Sequence, residues 1–205
     1  MVKTNADARK TPRQARSRAL VETILDTTAR ILVEHGFAAT TTNRVAERAG
    51  VSIGSLYQYF PSREALVAAV AHRHSDRIKA ALEERLAEGS ADLESGIDAL
   101  LDAIIQAHRL SPGLTAVLAG EVPRLGALDW KAENTRRGVD LARRLIDRHT
   151  GELRADIDRN AAAFLCSTCV EGVMNAAARQ APDRIIDGSI LHELRSLLLG
   201  YLRHR

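Results

Sequence analysis

Residues Leu20, Ile24, Ala29, Ile31 and Leu32 recur at broadly helical spacing and predict a first helix from about Ser17 to His35. Gly36 follows, where a helix end favours a left-handed residue. The run Thr40, Thr41, Thr42 offers a choice of N-caps for a second helix through Arg48, with Val45, Ala46 and Ala49 available to a core. Gly50, lacking a Cβ, permits the positive φ of a sharp turn. Ser52 is a good N-cap for a third helix over residues 53–59, with Leu56 and Phe60 on its inner side. Pro61 stops that helix, and Ser62 caps a much longer one reaching about Glu88.

Five more helical segments follow Gly89-Ser90. Residues 91–109 carry Leu93, Ile97, Leu100, Leu101, Ile104 and Ile105 on one broad face. Ser111-Pro112-Gly113 breaks the pattern, 114–121 resumes it, and Pro123 with Gly126 interrupts again. Residues 128–149 are amphipathic, and 156–180 are rich in small side chains. The last segment, 189–203, carries Ile190, Leu191, Leu194, Leu197, Leu198 and Leu202. Residues 1–16 lack apolar periodicity and read as a flexible basic arm. No repeat or low-complexity segment interrupts the series.

Composition agrees with an all-α protein. Hydrophobic residues make up 45% of the chain but aromatic ones only 3%, while Ala, Leu and Arg dominate. A length of 205 residues accommodates a small domain joined to a larger one. Charge separates the two: residues 1–63 carry ten Lys+Arg against five Asp+Glu, and the remainder 19 against 21. A basic segment on a slightly acidic body is the footprint of a protein that meets polyanions, usually nucleic acid.

Other chemistry finds less support. Residues 1–19 are polar and basic, without the apolar core of a signal peptide, so a cytoplasmic protein without a membrane partner is expected. Cys166 and Cys169 stand i, i+3 among alanines and read as small buried residues. The sequence holds no GxSxG, no HExxH and no phosphate-cradling glycine loop, and His72 and His74 are too close in sequence to share a helical metal face. No enzyme activity and no cofactor is expected. A protein that compacts DNA without sequence preference is an alternative from another class.

The stretch around Gly50 has the geometry of a DNA reader. Ala46 lies four residues before the glycine and Leu56 six after it. Two helices crossing at about 90–120° over a short turn need a small side chain at the crossing, a glycine in the bend and an apolar anchor on the second helix. The second helix then projects Ser52, Ile53, Gly54 and Ser55 outward.

The segment GFAATTTNRVAERAGVSIGSLYQYFPSREAL resembles the DNA-binding domain of the TetR family of bacterial transcriptional regulators. The resemblance covers about residues 17–66. Its most specific part is GSLYQYFPSREAL, where Tyr-x-Tyr-Phe closes the recognition helix and Ser-Arg-Glu opens the long one. It implies a three-helix DNA-binding domain over 17–66, joined by the long helix to a helical ligand-binding and dimerisation domain over 67–205. It further implies phosphate contacts from Thr42, Tyr57, Gln58 and Tyr59, with Arg63 as a basic clamp on the same backbone. Asn43, Arg44, Ile53, Gly54 and Ser55 become candidates for the major groove. Arg44 alone among them can bond a guanine O6/N7 edge bidentately, and it also suits a phosphate. Many relatives carry Lys, Arg or Gln where this chain has Ile53, which cannot hydrogen-bond a base. Ile53 suits a thymine methyl; otherwise specificity rests on Arg44, Ser55 and DNA shape.

For the body, the resemblance implies a homodimer in which the last two helices pair with their twofold mates. Leu194 is expected in that seam. It also implies a pseudo-palindromic operator and repression relieved by a small-molecule effector. Polar residues stranded on apolar helices are the candidate ligand contacts: His108, Trp130, Glu171 and Asn175. Glu171, within CVEGVMNA, suits solvent, the dimer seam or a ligand alike, because an unpaired buried carboxylate is costly. With few aromatics to line it, a pocket should suit a largely apolar molecule.

Overall fold

The computed structural model describes residues 15–111, 113–121 and 128–203. The arm expected over residues 1–16 lies outside them except for its last two residues, which open the first helix, and the side chain of Trp130 also lies outside. Ten α-helices follow in order: α1 (Ala15–Ala39), α2 (Thr42–Ala49), α3 (Ile53–Tyr59), α4 (Arg63–Glu88), α5 (Leu93–Leu110), α6 (Leu114–Glu121), α7 (Leu128–Arg148), α8 (Arg159–Gln180), α9 (Pro182–Ile186) and α10 (Ser189–Leu202). A 3-10 turn, Thr150–Glu152, separates α7 from α8. Among the described residues there is no strand, only an isolated antiparallel bridge between Leu153 and Arg203. The chain divides into two compact units, residues 1–74 with 117–127, and 75–116 with 128–205.

In the first unit Ile24, Ile31 and Leu32 of α1 are buried, as are Val45 of α2, Leu56 of α3, Phe60, and Leu66 and Val70 of α4. Gly36 breaks α1 with φ 75° and ψ 179°, so the helix resumes for a last turn to Ala39 rather than stopping at His35. The three threonines then divide the work of the turn. Thr40, fully buried, donates its hydroxyl to the Gly36 carbonyl at 2.9 Å. Thr41 is the N-cap of α2 and accepts the Arg44 N–H at 3.3 Å. Thr42 begins the helix and turns outward. Gly50 adopts φ 67°, ψ 30° at the end of α2, and its N–H reaches the carbonyls of Ala46 and Glu47. Ser62 caps α4 by accepting the Ala65 N–H at 3.2 Å. Arg73 of α4 holds Glu22 at 2.7 Å and Asp26 at 2.8 Å on α1.

The second unit is built on α5, α7, α8 and α10. Leu93, Ile97, Leu101 and Ile105 meet Leu145, Ile146, Ala162, Cys166 and Met174 in one core. Close approach depends on two glycines: a Cβ on Gly96 would lie 2.5 Å from Leu145 Cδ1, and one on Gly138 would lie 2.7 Å from the Ser167 hydroxyl. Helix α8 is long and apolar enough to cross a membrane by length and composition, yet it lays Ala162, Ala163, Cys166, Met174 and Ala177 into this core. Two elements escape the periodicity reading, the five-residue α9 and the 3-10 turn, because both are too short to show a period.

Leu194 corrects an expectation. It is 3% exposed and belongs with Leu191, Leu198 and Leu202 to the core of the second unit. The outward leucine of α10 is Leu197, at 55%. An apolar face read from sequence cannot separate the two, since both sit on the same broad stripe and only packing partners tell them apart.

Candidate nucleic-acid interface

Ser52 opens α3 by accepting the Ser55 N–H at 3.0 Å, and the two side-chain hydroxyls lie 2.8 Å apart. The pair therefore satisfies part of its own hydrogen bonding. Between them Ile53 and Gly54 are exposed, and a Cβ on Gly54 would touch only the Ser52 hydroxyl, at an ordinary 3.9 Å. Asn43 is exposed and Arg44 half-buried one position on. Sequence and structure thus agree that these six residues, Asn43, Arg44 and Ser52 to Ser55, lie at the accessible starts of α2 and α3.

The hydroxyls of Thr42 and Tyr57 meet at 3.1 Å, which joins the first turn of α2 to the last part of α3. Tyr57 is 42% exposed, and Gln58 beside it is exposed as well. Tyr59 is different. At 5% exposure its ring belongs to the core with Phe60, so the phosphate role expected for it is corrected: a side chain so covered offers a polyanion no more than an edge. Helical geometry explains the split, since residues two apart on a helix point about 200° apart.

Arg63, on the first turn of α4, is partly exposed. Its guanidinium stands over the Phe37 ring, 4.2 Å from the centroid, and its Nε and Nη2 each lie 3.4 Å from Glu64 Oε1. Arg48, at the end of α2, is paired instead with Glu34 of α1 at 2.8 Å, and the hydrogen bond from Arg48 is the main cause holding the Glu34 carboxyl below its ordinary range.

Residues 92–202 match the family described as the tetracyclin repressor-like C-terminal domain, and residues 24–70 the bacterial regulatory proteins of the tetR family. The chain belongs to the TetR family. Its relatives include the HTH-type transcriptional repressor KstR of Mycolicibacterium smegmatis, 31% identical over 51% of this chain and 56% of that protein. The nucleoid occlusion factor SlmA of Haemophilus ducreyi is 34% identical over 42% of this chain and 43% of its own. The chain spans about half the length of these relatives. A solved TetR-family transcriptional regulator from Streptomyces coelicolor is 29% identical, with a TM-score of 0.68 over 91% of this chain and 97% of that one.

Within the TetR-family body, the described candidate ligand residues lie on two helices, His108 on α5 and Glu171 and Asn175 on α8. His108, near the end of α5, is buried, donates from Nδ1 to the Ile104 carbonyl at 2.7 Å, and is held below its ordinary pKa chiefly by burial. Glu171 and Asn175 are half-buried on α8, on the side that also carries exposed Phe164 and Thr168, and roughly opposite the stripe of Ala162, Ala163, Cys166 and Ala177. Cys166 is buried in that stripe and its thiol is pushed up to about 11, mainly by desolvation, which leaves it unreactive. Among the described residues no three His, Cys, Asp or Glu side chains gather to hold a metal ion.

Two polar constellations in this TetR-family body have no signal in the sequence. Asn134 of α7 donates from Nδ2 to the Ser75 hydroxyl at 2.7 Å and accepts from Lys79, joining two turns of α4. The Ser90 hydroxyl lies 2.7 Å from His149 Nε2, and His149 Nδ1 lies 3.4 Å from Glu152 Oε1. That order resembles a hydrolytic triad, but its parts serve packing. Glu152 Oε1 accepts the Leu93 N–H at 2.7 Å, its other oxygen faces Arg203 at 3.2 Å, and Ser90 is pressed against Gly96. The trio latches the start of α5 to the turn after α7.

Proposed function

We propose that this TetR-family protein is a homodimeric, cytoplasmic repressor that binds a pseudo-palindromic operator and is released from it by a small, largely apolar effector. The observation that carries the DNA reading is the joined Thr42–Tyr57 hydroxyl pair beside exposed Asn43, Ile53, Gly54 and Gln58, on the unit whose sequence is basic. In this reading Thr42, Tyr57, Gln58 and Arg63 hold phosphates. Asn43, Arg44, Ile53 and Ser55 face the major groove, Ile53 against a thymine methyl.

The dimer reading is supported by large apolar side chains turned to solvent on α8 and α10, namely Phe164, Leu165 and Leu197. Glu171 and Asn175 lie further along the face of α8 that carries Phe164 and suit the polar rim of such a seam better than a pocket. His108 and Trp130 remain the ligand contacts in this reading. Helix α4, Arg63–Glu88, begins beside the reading surface. A ligand that shifts its far end would move the reading heads off successive major grooves, about 34–36 Å apart.

A second reading is favoured by the match to a nucleoid occlusion factor: DNA binding in the service of something other than transcription. Selection of duplexes from a random pool, followed by mapping of bound sites along the chromosome, separates the two. A repressor yields one palindromic consensus in front of a few genes. Scattered sites far from promoters support the second reading, and the absence of any enriched sequence overturns the first.

A further inference from the structure

Arg63 is held from two sides by its own unit. The guanidinium carbon stands 4.2 Å from the centre of the Phe37 ring, while the Nε–Nη2 edge leans on Glu64 Oε1 at 3.4 Å. These contacts use one face and one edge of the group, and leave Nη1 for an anion. The placement of the ring is itself built: Gly36, with φ 75°, breaks α1 just before Phe37 and redirects the last turn of the helix. A residue with a Cβ adopts that backbone only with strain.

We propose that Phe37 is a positioning residue of the DNA interface, whose ring holds the Arg63 guanidinium extended for a backbone phosphate. The inference rests on the DNA-binding reading above. An arginine side chain loses rotamer freedom when it grips a phosphate, and a ring that restricts it beforehand lowers that cost. The attraction of a cation for a ring face, worth about 0.5–1 kcal/mol at an exposed site, corresponds to about two- to fivefold in affinity. Glu64 stays on the Nε–Nη2 edge and leaves the Nη1 side to the phosphate.

The test uses the full-length protein and a labelled duplex recovered from the random pool with wild-type protein. Phe37→Leu keeps an apolar side chain without a π face, and should weaken binding about two- to fivefold. Phe37→Tyr keeps the face and should bind as wild type. In an Arg63→Ala background, Phe37→Leu should cost nothing further. Equal losses in both backgrounds, or no loss in either, would overturn the proposal, since a structural role for the ring does not depend on Arg63. If Phe37→Leu does not fold, the wild-type protein still decides: ring-current shifts of the Arg63 side-chain protons should persist in the duplex complex, and their disappearance on binding overturns the proposal. Failure of the wild-type protein to bind any duplex instead sinks the DNA-binding reading and this inference with it.

Discussion

The Thr42 hydroxyl lies 3.1 Å from the Tyr57 hydroxyl, so two helices that share a turn at Gly50 also share one polar contact at their outer edge. One of the two O–H groups donates to the other, and the second proton is available for a phosphate oxygen. Tyr57→Phe removes one hydroxyl without changing the ring. Hydrogen bonds to a charged group are worth about 1.5–3 kcal/mol, so DNA affinity should fall by roughly that amount on every sequence alike. Fluorescence anisotropy with the selected duplex and a scrambled one reads this, and unchanged affinity would remove Tyr57 from the interface. Thr42→Val should not add its full loss in the Tyr57→Phe background, because the two hydroxyls act as one unit.

Arg44 sits on the first turn of α2, its own N–H spent on the Thr41 cap and its side chain half-buried. Arg44→Ala should weaken operator binding by roughly 1–3 kcal/mol and relax one position in each half-site if the guanidinium reads a base. A uniform loss across sequences, with a salt slope reduced by about one, assigns it to phosphate instead.

Leu194 and Leu197 stand three residues apart on α10 with opposite exposures, 3% and 55%. Leu194→Ala should lower stability by about 2–5 kcal/mol, as expected of a leucine removed from a core. Leu197→Glu should leave the melting temperature of the protomer nearly unchanged while sedimentation velocity shows dissociation of the dimer. A wild-type protein that sediments as a monomer at micromolar concentration refutes the dimer, and a Leu197→Glu variant that stays dimeric moves the seam elsewhere.

Glu34 carries the pH dependence of the first unit that is simplest to isolate. Its carboxyl is held below the ordinary value of 4.5 chiefly by the hydrogen bond from Arg48. A depressed folded value means the pair contributes stability above pH 4.5, and that contribution is lost as the pH falls through the lower folded value. Arg48→Ala should return the Glu34 titration to near 4.5 in an NMR experiment on the side-chain carboxyl. A Glu34 titration that does not move would show that the pair does not persist in solution. Both groups are well exposed, so high salt should weaken the effect.

The local signals in this sequence are strong because they depend on neighbours along the chain. Gly36 and Gly50 need positive φ, Ser52 and Ser62 cap the helices that follow them, and Pro61 ends α3; each is satisfied within a few residues and could be read before any fold was known. The helix-turn-helix followed for the same reason, since its small residue, bend and anchor lie within eleven positions from Ala46 to Leu56. What tertiary structure decided is direction. Tyr57 and Tyr59 are the same residue type two positions apart, and only the packing of α3 against its unit sends one ring to the surface and the other to the core. Leu194 and Leu197 divide in the same way on α10. Phe37 meets Arg63, Asn134 bridges Ser75 and Lys79, and Ser90 meets His149 across separations that no periodicity records. Such contacts depend on where helices cross, and crossing is set by the summed shape of many side chains rather than by any one stretch of the chain.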